Sequence, residues 1–329
     1  MIYRLGMIGL WDHTGYTLEP LARWPNVKLT ACACAESHLI ERHKKQYAYF
    51  NDSVKLYTDF HEMLEREELD IVAVYTTHGQ RAEALLAAAR AKAHIYSEKP
   101  LTTTLQDLEQ VKQAVKNAGV RLTMMLSMRF EGIYRKVHEL VRSGVIGEVA
   151  QASSQKSYKL ATRPAWMKNR GTFAGTIPYI ACHALDLIRW CSGMEFVQGA
   201  AFHNNVGRPD LGRMENTAGL ILLARNGATV TVRLDYCRPE IASTWGDDRL
   251  RFAGVEGVVE VLQGKGTLIT QKQSVQEIPP APRLSQFDNF IAAIEGREEL
   301  AVPEEDCYRI TEVVLKLRGA ADTRTLTEL

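Results

Sequence analysis

Tyr3-Arg4-Leu5-Gly6-Met7-Ile8-Gly9-Leu10-Trp11-Asp12-His13-Thr14-Gly15 is the stretch on which the fold turns. An aliphatic run that stops at a glycine reads as a buried parallel strand, and the glycine marks a sharp turn into the next element. Outward from it, residues 14–24 read as a helix stopped near Pro25, 27–34 as a second strand and 36–48 as a polar-faced helix. Residues 69–76 form a third buried run, followed by an Ala/Leu-rich helix over 81–91. A fourth strand at 94–97 is closed by Pro100, a helix over 105–118 is capped by Gly119, and 121–126 is a fifth strand. Strands alternating with helices imply an α/β, Rossmann-type, doubly wound parallel sheet with right-handed crossovers.

Near residue 149 the rhythm changes. Residues 148–156, 218–223, 229–236, 248–254, 257–263 and 266–271 read as strands separated by turns such as Arg225-Asn226-Gly227. Helices are expected over 180–191, 286–295 and 304–320, with Pro279-Pro280-Ala281-Pro282 as an extended connector. This is an α+β domain with a large, mostly antiparallel open sheet. The expected division is a nucleotide domain over 1–125 and an α+β domain over 126–329, the final helix packing back toward the first. Ligands are expected in the cleft between them.

Bulk composition narrows the function. The 329 residues are 46% hydrophobic, and 40 Lys plus Arg balance 39 Asp plus Glu for a net charge of +1. Such a chain offers no general attraction to nucleic acid or to an anionic membrane. No signal-peptide pattern opens it and no apolar run nears the ~20 residues that span a bilayer, so it reads as cytoplasmic. Six cysteines, at 32, 34, 182, 191, 237 and 307, are too sparse for a disulfide framework, and Cys32 and Cys34 read as small buried residues rather than metal ligands.

A dinucleotide loop needs glycine where the chain turns, glycine where backbone approaches the pyrophosphate, and a small residue where helix meets strand. Gly9 and Thr14 suit the first and last of these, with Leu10 between, but Trp11 stands where the second glycine belongs. The acidic residue that should close the second strand and hold the adenosine ribose is displaced. Its slot holds Cys34, and Glu36 follows two residues later. No arginine immediately follows Cys34, and NAD and NADP both stay open.

Tyr96-Ser97-Glu98-Lys99-Pro100 follows the third buried run, and with this motif the chain resembles the glucose–fructose oxidoreductase / inositol dehydrogenase (Gfo/Idh/MocA) family. Asp70-Ile71-Val72-Ala73-Val74-Tyr75-Thr76, Arg142-Ser143-Gly144-Val145-Ile146-Gly147-Glu148-Val149, His183-Ala184-Leu185-Asp186 and Leu250-Arg251-Phe252-Ala253-Gly254-Val255-Glu256-Gly257 resemble further segments of it, in order and over nearly the whole chain. Lys99 lies at the carboxyl end of a parallel strand, where such sheets bind ligands, and an ammonium there stabilises charge on a substrate oxygen. His183 opens an apolar helix, and an imidazole titrating near neutrality suits removal of a hydroxyl proton. Asp186, one turn on, reads as a capping or orienting residue.

The resemblance implies an NAD- or NADP-dependent dehydrogenase acting on a secondary alcohol of a sugar, inositol or related polyol. Lys99, His183 and Tyr179 are the catalytic candidates. Gly9, Leu10, Trp11, Thr14, Cys34, Glu36, Thr76, Thr77, His78, Glu98, Lys99 and Arg129 are placed around the cofactor. Tyr158, Arg163 and Trp166 join Lys99, Tyr179 and His183 around the substrate, aromatic faces and an arginine fork suiting a sugar. The chain departs from the family at Tyr179, where many relatives carry aspartate, at Thr77 and His78 in place of Pro-Asn, and at Arg81 in place of histidine. Two alternatives are a non-catalytic dinucleotide-binding sensor and a redox-neutral glycosidase or lyase. His38, His43, His61 and His203 read as surface residues, and a homodimer or homotetramer through the second domain's sheet is expected.

Overall fold

The structure, a computed structural model, describes residues 2–329. It divides into two compact units, one running up to Met125 and including Ser285–Tyr308, the other formed by Leu126–Leu284 and Arg309–Leu329.

Unit one is built on β1 (Tyr3–Ile8), α1 (Gly15–Leu18), β2 (Val27–Ala33), α2 (Ser37–Gln46), β3 (Lys55–Tyr57), α3 (Phe60–Arg66), β4 (Ile71–Val74), α4 (His78–Arg90), β5 (His94–Ser97), α5 (Leu105–Ala118) and β6 (Leu122–Met124). The strands form one parallel sheet in the order β3-β2-β1-β4-β5-β6. The order reverses between β1 and β4, so the ligand crevice of such a sheet opens at their carboxyl ends. β4 is aliphatic and wholly buried, and β1 and β5 are buried toward their carboxyl ends, as strands covered on both faces must be. Thr104 caps α5 by accepting from the Asp107 N–H, and Gly119 ends the helix at φ 67°. β3 carries no sequence signal: Lys55 and Leu56 are exposed at the sheet edge, and three residues are too few to show a period, whereas α3, also not expected, is capped by Asp59 accepting from the His61 N–H.

Residues 285–308, which the sequence rhythm assigns to the second domain, pack in unit one. Ser285 caps the helix Gln286–Ile294 by accepting from the Asp288 N–H. Phe287 and Phe290 are fully buried, with ring centroids 5.4 and 5.6 Å from that of Tyr96. Each buried phenyl contributes ~1.5–3 kcal/mol, and that apolar face decides where the segment goes.

Unit two contains α6 (Gly132–Arg142), β7 (Val149–Lys159), α7 (Cys182–Ser192), β8 (Phe196–Asn204), β9 (Thr217–Ala224), β10 (Thr229–Arg238), β11 (Gly246–Gly254), β12 (Gly257–Leu262), β13 (Lys265–Thr270), β14 (Gln273–Ile278) and β15 (Thr327–Glu328). Its nine-stranded sheet runs β14-β13-β12-β11-β7-β10-β9-β8-β15, antiparallel except where β7 meets β10. Along β10, Val230, Val232 and Leu234 are buried while Thr229, Thr231 and Arg233 face out, so one side of the sheet is covered and the other open. α6 and α7 pack together, and α7 packs on β7. β8, β14 and α6 escape the sequence reading; the Val-Gln-Gly-Ala-Ala run in β8 has no clear alternation of apolar and polar residues. No helix among the described residues is long and apolar enough to cross a membrane.

Candidate active site

In unit one the site begins where β1 turns. Gly9 has φ 74°, and a Cβ there would lie 2.6 Å from the Tyr75 carbonyl oxygen, so this turn requires glycine. Thr14 Oγ1 lies 2.7 Å from His43 Nε2, and His43 Nδ1 donates to the Leu39 carbonyl at 2.7 Å, tying the turn to α2. His43 is therefore buried structure, not the surface residue its polar helix suggests. Leu10 is also in the core, leaving only its backbone on the turn. Trp11 lies half-buried with its indole Nε1 donating to Glu36 Oε1 at 3.3 Å, and the Cys34 thiol lies 3.3 Å from Glu36 Oε2.

At the end of β5, Lys99 is 4% exposed and Glu98 is fully enclosed. Lys99 is thus no surface lysine. Glu98 Oε1 accepts the Lys99 backbone N–H at 2.9 Å and lies 3.8 Å from Nζ, while His13 Nδ1 meets Oε2 at 2.6 Å. Burial pulls the Glu98 carboxyl upward, but Lys99, His13 and Arg81 outweigh it and hold the group well below the usual range. The neighbouring Asp12 goes the other way: burial raises it and the Glu98 charge adds to the effect. Asp12 also sits in the left-handed region at φ 59°.

Arg81 accounts for one departure from the family pattern. Its guanidinium is fully buried, Nη1 donating to the carbonyls of Lys99 at 2.6 Å and Pro100 at 2.9 Å, and Nη2 to that of Thr76 at 2.7 Å. It clamps the ends of β4 and β5 together and so positions Lys99. Thr77 precedes α4, with Oγ1 3.0 Å from Gln80 Oε1. Burial, with Arg81 and Lys99 nearby, pushes the enclosed His78 imidazole well down, leaving it neutral at pH 7.

Buried polar oxygens test whether these residues suit a dinucleotide. Asp12 Oδ2 and Thr76 Oγ1, which follow the carboxyl ends of β1 and β4, are buried without a hydrogen-bond partner among the described residues. Two such acceptors at the switch point, beside a turn that only glycine can make, fit a hydroxyl-rich phosphate ester.

In unit two, a π-helical turn, Ile177–Ala181, runs directly into α7. Such turns recur at functional sites. It brings Tyr179 and His183 four residues apart along one continuous helix, His183 half-buried among enclosed neighbours. Phe173 stands edge-on between Tyr179 at 5.7 Å and Trp166 at 6.0 Å. Arg163 lies over the Tyr236 ring at 4.4 Å and donates to the Lys159 carbonyl at 3.1 Å. Asp186 does not cap the helix: it is buried and accepts from Arg129 Nε at 2.9 Å, a residue expected at the cofactor. His203, expected at the surface, is half-buried, with Nε2 3.2 Å from Asp322. His38 is exposed and His61 half-buried.

Sequence reading missed one buried cation. Lys156, on the covered face of β7, has its ammonium 3.2 Å from Asp248 Oδ2 and 5.8 Å from the Tyr134 ring. Burial lowers it and Asp248 pulls it back; burial and then Asp248 raise the Tyr158 phenol. The available signal was register: Ala152, Ser154 and Lys156 alternate along the strand, and the first is plainly inward.

Known proteins match throughout. Residues 4–126 match the profile of an oxidoreductase family with an NAD-binding Rossmann fold, and residues 134–260 that of a GFO/IDH/MocA C-terminal domain. A myo-inositol 2-dehydrogenase of Thermotoga maritima is 28% identical over 318 residues, covering 92% of this chain and 91% of that one. A solved oxidoreductase structure from Thermotoga maritima is 32% identical with a TM-score of 0.93, covering 99% of this chain and all of that one. An aldose-aldose oxidoreductase from Caulobacter crescentus shares the fold at 23% identity and a TM-score of 0.83, over the full length of both chains.

Proposed function

From the premise that the chain belongs to the GFO/IDH/MocA oxidoreductase family, we propose that it is a dehydrogenase moving hydride between a secondary alcohol of a sugar, inositol or related polyol and NAD or NADP. The observation that carries this reading is Lys99, enclosed at the carboxyl end of β5, clamped through its backbone by Arg81 and lying beside an anionic Glu98. The near-full-length match to an inositol dehydrogenase supports the polyol class.

Gly9, Trp11 and Thr14 on the first turn, Cys34 and Glu36 after β2, and Thr76, Thr77, His78, Glu98 and Lys99 at the ends of β4 and β5 would hold the dinucleotide. Its nicotinamide supplies the hydride-accepting carbon. His183 takes the proton of the substrate hydroxyl. Lys99 donates to a substrate oxygen and stabilises charge developing there. Tyr179, four residues from His183, hydrogen-bonds the substrate, and Tyr158, Arg163 and Trp166 orient its ring. The neutral His78 beside Lys99 adds no competing cation there.

Native mass spectrometry of the purified protein is expected to show a retained nicotinamide dinucleotide, and an inositol and aldose panel a change in reduced-nicotinamide absorbance. No dinucleotide and no turnover would overturn the reading. A retained dinucleotide with no net reduction across the panel would move the chain to the sensors or the redox-neutral lyases and glycosidases.

We also propose that a second copy covers the open sheet face. Phe202 and Ile221 are 63% and 55% exposed there, and Arg251 faces Glu260 across the β11–β12 ladder, so the surface carries apolar groups and both charge signs and can complement itself. Light scattering should report a dimer or tetramer, and Ile221→Lys should shift it toward monomer. A monomeric parent protein would refute this.

A further inference from the structure

Glu36 sits at the N-cap position of α2 in extended conformation, yet its side chain makes no capping bond. The carboxylate is instead turned across the sheet's carboxyl edge. Oε1 accepts from the indole of Trp11, on the turn after β1, and Oε2 lies beside the thiol of Cys34, just after β2, each at 3.3 Å. These strands are direct neighbours, with Ile8 paired to Ala33. Burial pushes the Cys34 thiol up to about 12, so it stays protonated and acts as a donor to the carboxylate. Two unusual residues, a tryptophan in a glycine slot and a cysteine in an acid slot, are thereby explained together: they fix a carboxylate supplied two residues late.

We infer that Glu36, braced by Trp11 and Cys34, selects an adenosine ribose with free 2′- and 3′-hydroxyls, so that the chain takes NAD and refuses NADP. The inference rests on the dinucleotide reading above and deepens it. In this strand order the adenosine half of the ligand lies over β1 and β2. A carboxylate has about four acceptor sites. Trp11 and Cys34 occupy two, which leaves two for a vicinal diol. A 2′-phosphate would bring roughly −1.5 to −2 charge against that anion. No lysine or arginine stands between residues 29 and 41 to offset it.

Calorimetric titration of the full-length protein with NADH and with NADPH tests this without reference to turnover. NADH is expected to bind at least about 100-fold tighter than NADPH. Glu36→Ser should narrow that ratio to under about 10-fold. Glu36→Gln, which keeps the side chain's shape, should narrow it in the same direction and guards against a folding defect in the serine variant. Equal affinities in the parent protein, or an unchanged ratio in both variants, would overturn the assignment of Glu36 while leaving the dinucleotide reading intact. Binding of neither dinucleotide would overturn both.

Discussion

Replacing Lys99 by alanine is expected to lower kcat by roughly 10³-fold while NADH affinity changes by no more than a few-fold. The size follows from removing a preorganised donor aimed at an oxygen where charge develops. Glu98 and Arg81 hold the backbone on either side of the side chain, so the fold should survive its loss. His183→Ala should cost roughly 10²–10⁴-fold, the usual range for a general base. In the arginine variant, Lys99→Arg, little activity should return, because a planar fork does not reproduce a compact ammonium in an enclosed slot. Wild-type turnover in both alanine variants would end the assignment of these two residues.

The second large effect concerns stability. Asp186→Ala should lower unfolding free energy by about 3–5 kcal/mol, or about 10 °C in melting temperature for a unit of this size. The reason is desolvation. Arg129 and Asp186 are both 2% exposed in their side chains, and removing the carboxylate takes a buried charge partner from an enclosed guanidinium. Asp186→Asn, which keeps one acceptor, should lose less. Converting both partners to apolar residues of similar volume should recover much of the loss, since a matched apolar pair avoids the desolvation penalty. Thermal melts of the three variants check the series, and equal melting temperatures for the alanine variant and the parent protein would refute it.

The parallel sheet was legible because its central strands are largely apolar and are bounded by turn-formers: Gly9 after β1, Pro100 after β5, Gly119 before β6. β3 was not, because Lys55-Leu56-Tyr57 pairs only at an edge and nothing in three residues records that pairing. The helix Gln286–Ile294 was found but placed with the wrong unit, since a sequence shows an apolar face and not what it packs against. Among functional residues, Lys99 and His183 could be singled out by motif and position. Arg81 stood out only as a departure from the family pattern, and Lys156 not at all, because a charged side chain goes inside only where distant carbonyls or a carboxylate receive it. The partner of Asp186 was hidden for the same reason: it lies 57 residues away, and of the capping and orienting readings only the capping one fails.

Unit one is sewn from two stretches of polypeptide, and this has a consequence for synthesis. The bed that receives Phe287 and Phe290 is made from residues before Met125, yet the segment that fills it leaves the ribosome about 160 residues later. The nascent nucleotide-type sheet must wait with an apolar trough uncovered while most of the second unit is translated. Expression fragments cut near residue 126 should therefore be aggregation-prone, and co-expressing Ser285–Tyr308 as a separate piece is the natural way to rescue them.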